Sequence, residues 1–260
     1  MLLALDLSNT GIKLGLFAGR EMQARWRIAT VREKTADEYA MLLTSLCASK
    51  GYTLGDIDGV IVSSVVPPLT PVMQQLARGY LGREAIIVNH LSPLGVGLRV
   101  DNPWETGTDR ILSVLAAREL YTLPAIIIQF GTATSFDCAS SEGDFMGGVI
   151  APGLGISAEA LARVASRLYQ VEWTAPATVL GTNTMHTMQS GIVYGHAAMV
   201  EGIVARLRRE MPGGPNAVVI AHGGLADVVA SATDVIDIRA PNLLLAGLQR
   251  AYEKLAPSAN

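Results

Sequence analysis

Only two cysteines, Cys47 and Cys138, occur in the 260 residues. They are too few and too far apart for a disulfide framework or a zinc knuckle, so a reduced compartment, the cytoplasm, is expected. The four histidines, His90, His186, His196 and His222, show no HExxH or other metal-ligand spacing. Lysine and arginine number 20 against 23 aspartates and glutamates, a net charge of −3 with no basic run. That excludes the electrostatic footprint of a nucleic-acid binder, and any polyanionic ligand must be held by local geometry. The longest apolar runs, such as 123–128, fall far short of the ~18 residues of a membrane span. No basic segment precedes the N-terminal apolar stretch, and Asp6 interrupts it, so no signal peptide is expected. A Walker A pattern is also missing, which argues against a P-loop kinase.

What is present is apolar. Half of the residues are hydrophobic and 17% are charged, with a mean hydropathy of +0.33. A chain of this length makes one large domain or two ordinary ones. Its hydrophobicity implies an extensive core plus some buried subunit interface.

The apolar spacing predicts a strand at Leu2–Leu5, a polar turn at Asp6–Gly11 and a return strand at Lys13–Phe17. A third strand is expected over Glu21–Thr30 and a helix over Asp37–Ser49, where Tyr39, Leu42, Leu43 and Leu46 form one stripe. Asp58–Ser64 reads as a buried strand that Pro67-Pro68 prevents from running on. The second half repeats the theme: a strand at Ala125–Ile128, a turn at Gln129–Thr134 and return strands at Ser135–Ala139 and Phe145–Ala151. Helices are expected over Ser157–Leu168, Thr187–Arg209 and Leu243–Glu253, with a strand at Ala217–Ala221. Two strand–turn–strand units roughly 120 residues apart suggest a duplicated domain, 1–115 and 116–260, with a cleft between the copies. Hairpins are common, so coincidence fits that pattern as well.

Four segments carry possible chemistry. In Asp6-Leu7-Ser8-Asn9-Thr10-Gly11 a strand end delivers an aspartate and then small polar residues. Backbone amides and the Thr10 hydroxyl suit phosphate oxygens, and Asp6 suits the accompanying magnesium. The same residues also make an ordinary polar turn. Gln129-Phe130-Gly131-Thr132-Ala133-Thr134 is a second turn of this kind, and Gly223-Gly224-Leu225 is a third point where backbone could meet a nucleotide. Glu105-Thr106-Gly107-Thr108-Asp109-Arg110 leads into an apolar-periodic helix. There Asp109 could orient a hydroxyl nucleophile and Arg110 could pair with an acidic group, or the two could simply be a helix cap and a surface charge. Gly153-Leu154-Gly155-Ile156-Ser157-Ala158 matches the dinucleotide pattern GxGxxA, but Pro152 makes it read as a plain loop.

These loops resemble the phosphate and adenosine loops of the actin-like ATPase superfamily. The blocks LLALDLSNT, TADEYAMLL, VIVSSVVPPL, DNPWETGTDR, FGTATSFD, GGVIAPGLGISAEAL, NTMHTMQSGIVYG and GGLADVV resemble, in order, those of the type III pantothenate kinases. The resemblance implies an α/β fold of duplicated ribonuclease H-like domains with an interdomain nucleotide cleft. It implies ATP-dependent phosphorylation of pantothenate, the first step of coenzyme A synthesis, in a homodimer. ATP would lie at Asp6, Leu7, Ser8, Asn9, Thr10, Gly11, Ile12, Lys13 and Thr132, with magnesium on Asp6. Pantothenate would meet Val100, Gly107, Thr108, Asp109, Arg110 and a Thr184 contributed by the partner subunit, with Asp109 as catalytic base.

The chain departs from that pattern around one expected site. Ser8 stands for a glycine, Gly11-Ile12-Lys13 replaces the usual residues, Val100 stands for a tyrosine and His222 for a small hydroxyl residue. Gln129 stands where the resemblance implies an aspartate that holds a monovalent cation, potassium or ammonium. Glutamine keeps an oxygen and loses a charge that, at ~4 Å and an effective dielectric near 20, interacts by roughly 4 kcal/mol. Three readings follow: a kinase with altered monovalent-cation dependence, a weakened paralogue serving as partner or regulatory subunit in a heteromer, or a kinase for another small alcohol.

Overall fold

The structure, a computed structural model, describes residues 1–164 and 168–256. The described residues group into two units, 1–96 with 101–119 and 243–256, and 97–100 with 120–242.

Unit 1 holds strands β1 (Leu2–Leu7), β2 (Gly11–Ala18), β3 (Glu21–Ala29), β4 (Gly59–Ser64) and β5 (Ala85–Ile87) in the order β3-β2-β1-β4-β5. The first three run antiparallel, whereas β1–β4 and β4–β5 are parallel. All six residues of β1 are buried, as expected of a central strand covered on both faces. Leu3, Leu5 and Leu7 point into a core shared with helices α1 (Ala36–Ala48) and α2 (Leu69–Leu81). Strand alternation therefore puts Leu2, Ala4 and Asp6 on the other face. There the last helix, α7 (Leu243–Leu255), packs on β1 and β4, and its Gly247 abuts the Leu112 carbonyl of α3 (Thr108–Leu120).

Unit 2 repeats this plan. Strands β6 (Ala125–Phe130), β7 (Ala133–Ala139), β8 (Phe145–Pro152), β9 (Val218–His222) and β10 (Ile238–Arg239) take the order β10-β9-β6-β7-β8. Read from the other edge this is the unit 1 order, with the same antiparallel and parallel pairings. Two ribonuclease H-like sheets in one chain turn the weak sequence repeat into a duplication. Ile126, Ile128 and Phe130 face a core with α5 (Thr184–Glu210), α6 (Ala226–Ala230) and Leu154 of α4 (Leu154–Val164). Gln129 accordingly faces the opposite side.

Several expectations shift for identifiable reasons. The α2 helix goes unread in the sequence because Pro71 falls inside it; in the first turn a proline costs no hydrogen bond. The α5 helix begins at Thr184 instead of Thr187, because the Asn183 side chain caps it by accepting from His186 N–H at 2.9 Å. The helix expected from Ser157 begins earlier, at Leu154, so residues 154–156 are the start of α4 and not loop. The helix expected to Leu168 ends at Val164; 165–167 lie outside the described residues, and Leu168 is not helical. No helix among the described residues is long and apolar enough to cross a membrane.

Candidate active site

In unit 1 the candidate residues gather at the C-terminal end of β1. Asp6 is 1% exposed and stands between Lys13 of β2 and Ser63 of β4 in the strand register. Two groups meet one of its oxygens. The Ser8 hydroxyl donates to Asp6 Oδ2 at 3.0 Å, and the Lys13 ammonium lies 3.4 Å from it. Burial pushes the Asp6 carboxyl above the usual carboxylate range; Lys13 opposes that shift and the charge of Asp109 adds to it.

Asp109 is felt there because α3 starts beside the strand end. Ser63, fully buried, shares a 2.8 Å hydrogen bond with the Thr108 hydroxyl at the first helical residue. Nothing in the block GVIVSS marks Ser63 for that role; only the strand register reveals it. Gly107 is also explained, since a Cβ there would lie 2.6 Å from Asp109 Oδ1. Arg110 follows in the first turn, half-buried. Asn9 and Thr10 are exposed on a turn that Ser8 N–H closes by donating to the Gly11 carbonyl at 3.1 Å. The side chains of Leu7 and Ile12 lie in the core, so only their backbone is available to a ligand.

The matching strand end in unit 2 has an amide in place of the carboxylate. Gln129 has the place on β6 that Asp6 has on β1, with Ser135 and His222 opposite it as Lys13 and Ser63 are opposite Asp6. Gln129 Oε1 is buried without a hydrogen-bond partner, and His222 is 1% exposed. Thr132 sits exposed on a tight turn that Gly131 N–H closes onto the Ala133 carbonyl at 3.0 Å. Two glycines pack against this turn. A Cβ on Gly153 would lie 2.2 Å from the Thr132 carbonyl oxygen, and one on Gly223, whose φ is +105°, would lie 2.3 Å from that of Phe130. The third loop of the sequence thus meets the second in space. Val100 belongs to the strap 97–100 and sits beside Gly147, whereas Thr184 is exposed at the start of α5.

Among the described residues no cluster of three or more histidine, cysteine, aspartate or glutamate side chains is placed to hold a metal. One carboxylate with a second nearby suits magnesium, which keeps several waters and shares substrate phosphates, so Asp6 fits that ion. Gln129 offers a monovalent cation an oxygen but no charge, and the position does not match what the resemblance implies.

A family model described as type III pantothenate kinase matches residues 2–206. The type III pantothenate kinase of Roseiflexus sp. strain RS-1 is 46% identical over 97% of this chain and 98% of its own length. That of Moorella thermoacetica is 44% identical over 98% and 99%. The chain belongs to the type III pantothenate kinase family. Solved structures share the fold at low identity. A protein proposed to be a 2-dehydro-3-deoxygalactonokinase, from Sinorhizobium meliloti, superposes with a TM-score of 0.62 at 14% identity, covering 99% of this chain and 100% of that one. The ethanolamine utilization protein EutJ of Carboxydothermus hydrogenoformans gives 0.54 at 13%, covering 95% and 88%.

In this member of the pantothenate kinase family the second phosphate-shaped turn is tied to α5. Thr134, at the base of the turn, shares a 3.0 Å buried hydrogen bond with His196 Nε2, and the His196 ring lies 6.1 Å from that of Phe130. Burial lowers the imidazole below its ordinary value of 6.5. The unfolded chain therefore takes up a proton near pH 6.5 that the folded one refuses. Stability from this group is complete above that pH and declines as pH falls toward the folded value. His196→Gln, which keeps a partner for Thr134, is expected to lose less melting temperature than the wild type between about pH 7.5 and 5.5. Equal slopes in a calorimetric pH series would refute the assignment.

Proposed function

We propose that this chain transfers the γ-phosphate of ATP to the hydroxyl of pantothenate, giving 4′-phosphopantothenate at the start of coenzyme A biosynthesis. One observation carries the reading. A buried aspartate at a strand end, Asp6, lies beside Ser63 in the strand register, and Ser63 shares a 2.8 Å hydrogen bond with Thr108, the residue before the helix-start aspartate Asp109. Phosphoryl transfer needs such a pair, one carboxylate for the metal and one for the nucleophile.

The backbone of Ser8–Gly11, with Asn9, Thr10 and Lys13, receives the phosphates; within unit 2, the turn bearing Thr132 offers backbone and hydroxyl donors of the same kind. A magnesium ion on Asp6 would neutralise charge gathering on the transferred group. Asp109 orients the pantothenate hydroxyl and takes its proton as the new P–O bond forms and the bond to ADP breaks. A carboxylate is a weak base for an alcohol, so placement in line matters more than early proton removal. Arg110 pairs with the pantothenate carboxylate.

We also place the protein in the cytoplasm as a homodimer. Leu161, Val164, Val179, Leu180 and Met185 are exposed at 42, 81, 67, 81 and 42% on α4, the segment after it and the start of α5. Apolar side chains concentrated in this way suit a subunit interface, and Thr184 lies among them in sequence, ready to serve the partner's site.

The direct experiment incubates purified protein with ATP, magnesium and pantothenate, with and without potassium or ammonium. Phosphopantothenate formation without either cation supports the proposal. Gln129 favours one second reading, a weakened partner subunit. Absence of product from the protein alone, with activity appearing on addition of a relative that carries the aspartate, would select that reading.

A further inference from the structure

Lys13 faces Asp6 directly across the β1–β2 pair. Its ammonium lies 3.4 Å from Oδ2, the oxygen that also accepts from Ser8. We propose that Lys13 is a displaceable counter-ion: it neutralises Asp6 until a divalent cation takes that oxygen, and its ammonium then moves to a nucleotide phosphate oxygen. The inference rests on the reading of Asp6 as the metal-bearing residue and adds an order of events to it.

The geometry supports exchange over coexistence. Magnesium bonds carboxylate oxygen at about 2.0–2.1 Å, so a dication on Oδ2 would crowd an ammonium already within ion-pair distance of that atom. Like charges at such separation repel strongly where water is scarce, and Asp6 is 1% exposed. The ammonium, in contrast, has somewhere to go. The Lys13 side chain is 26% exposed, and a four-carbon stem with a compact charge re-aims without distorting its strand. The other half of the molecule supplies an internal comparison. Where Gln129 replaces the carboxylate, the position equivalent to Lys13 is Ser135. A lysine stands opposite only the strand end that carries a charge, which is what a counter-ion requires and a general phosphate ligand does not.

An exchange of partners couples the two ligands. Before nucleotide arrives the cation must evict Lys13 into water; once phosphate is present, the evicted ammonium finds a new counter-charge. Cation and nucleotide should each strengthen binding of the other, and Lys13 should carry part of that coupling.

The test uses Mn²⁺ as a paramagnetic probe, with free ion counted by electron paramagnetic resonance on the full chain, and no turnover is involved. Lys13→Met is expected to bind Mn²⁺ without nucleotide about tenfold more tightly than the wild type, and magnesium-free ATP about tenfold more weakly. Lys13→Gln, which leaves a polar side chain beside the buried carboxylate, should shift both affinities in the same directions and covers poor folding of the methionine variant. Unchanged or weaker Mn²⁺ binding in both variants overturns the exchange. Asp6→Asn separates the two levels of the argument. If it abolishes Mn²⁺ binding while the lysine variants leave it unchanged, the counter-ion role alone fails. If it leaves Mn²⁺ binding intact, the metal assignment of Asp6 fails as well.

Discussion

Asp6→Asn is expected to lower pantothenate phosphorylation by a factor of about 10³ or more while raising the melting temperature. The first half follows from the role proposed for the carboxylate. An amide is nearly the same shape but carries no charge for a divalent cation, and electrostatic stabilisation is the larger part of phosphoryl transfer. The second half follows from burial. The Asp6 carboxyl is displaced upward by desolvation, with Lys13 opposing and Asp109 reinforcing the shift. A carboxyl whose folded pKa exceeds its unfolded value stabilises the fold when protonated, and that contribution is lost as pH rises through the folded value. Near neutral pH the ionised form is therefore a net cost, which asparagine removes. Each kcal/mol relieved should appear as a gain of about 2–4 °C for a chain of this size. Lys13 loses its partner in this variant, but a side chain 26% exposed reaches water. Scanning calorimetry beside a coupled ADP-release assay measures both effects. A variant that loses stability together with activity would show Asp6 to be a structural ion-pair member first.

Such an opposition between stability and activity marks what the sequence discloses and what it conceals. The apolar runs of β1, β4 and β6 are legible because a central strand buried on both faces has no polar alternation to confuse. The hairpins follow from the turn residues between them. The duplicated plan is different: the hairpin repeat alone fits coincidence, and only the matching order and direction of five strands in each sheet removes that possibility. The α1 helix starts at Ala36, one residue before the apolar spacing places it, because a capping box of Thr35 and Glu38 forms in both halves. The start of α5 is local too, yet its Asn183 cap lies outside the apolar periodicity. Pro71 hides α2 because a proline in a first turn and one in a helix interior look alike until the helix start is known.

At the site, polar residue types at strand ends point to Asp6 and Asp109, but nothing local joins residues 103 positions apart. The joint is Ser63 with Thr108, and a serine at the end of an apolar strand carries no signal of what lies across from it. The equivalence of Gln129 with Asp6 is likewise a fact of register, not of motif. It shows the two halves to be chemically unequal: one strand end has a buried carboxylate beside an ammonium, and the other has a half-buried glutamine whose Oε1 has no hydrogen-bond partner.

That inequality makes Gln129→Asp the second variant of large effect. An acceptor buried without a partner leaves about 1–3 kcal/mol of desolvation uncompensated. Aspartate would add a full charge to the same surroundings. In the absence of a small cation the variant should melt below the wild type, because a buried carboxylate lacking a partner is costlier than a buried amide. Potassium or ammonium then has a carboxylate to bind, at roughly 4 kcal/mol for a unit pair at ~4 Å and an effective dielectric near 20, before desolvation is subtracted. Ten times its dissociation constant of cation would return about 1.4 kcal/mol to the fold. The expected pattern at constant ionic strength is thus a melting temperature that rises with potassium in Gln129→Asp and stays flat in the wild type. Kinase activity should rise with potassium in the variant alone, about tenfold for every ~1.36 kcal/mol by which the bound cation stabilises the transition state more than the ground state. Potassium activation of the wild type would show that the glutamine oxygen suffices for the cation. A cation-responsive melting temperature without a gain in rate would move the limitation to the other departures, Ser8, Val100 and His222, and away from the charge at this strand end.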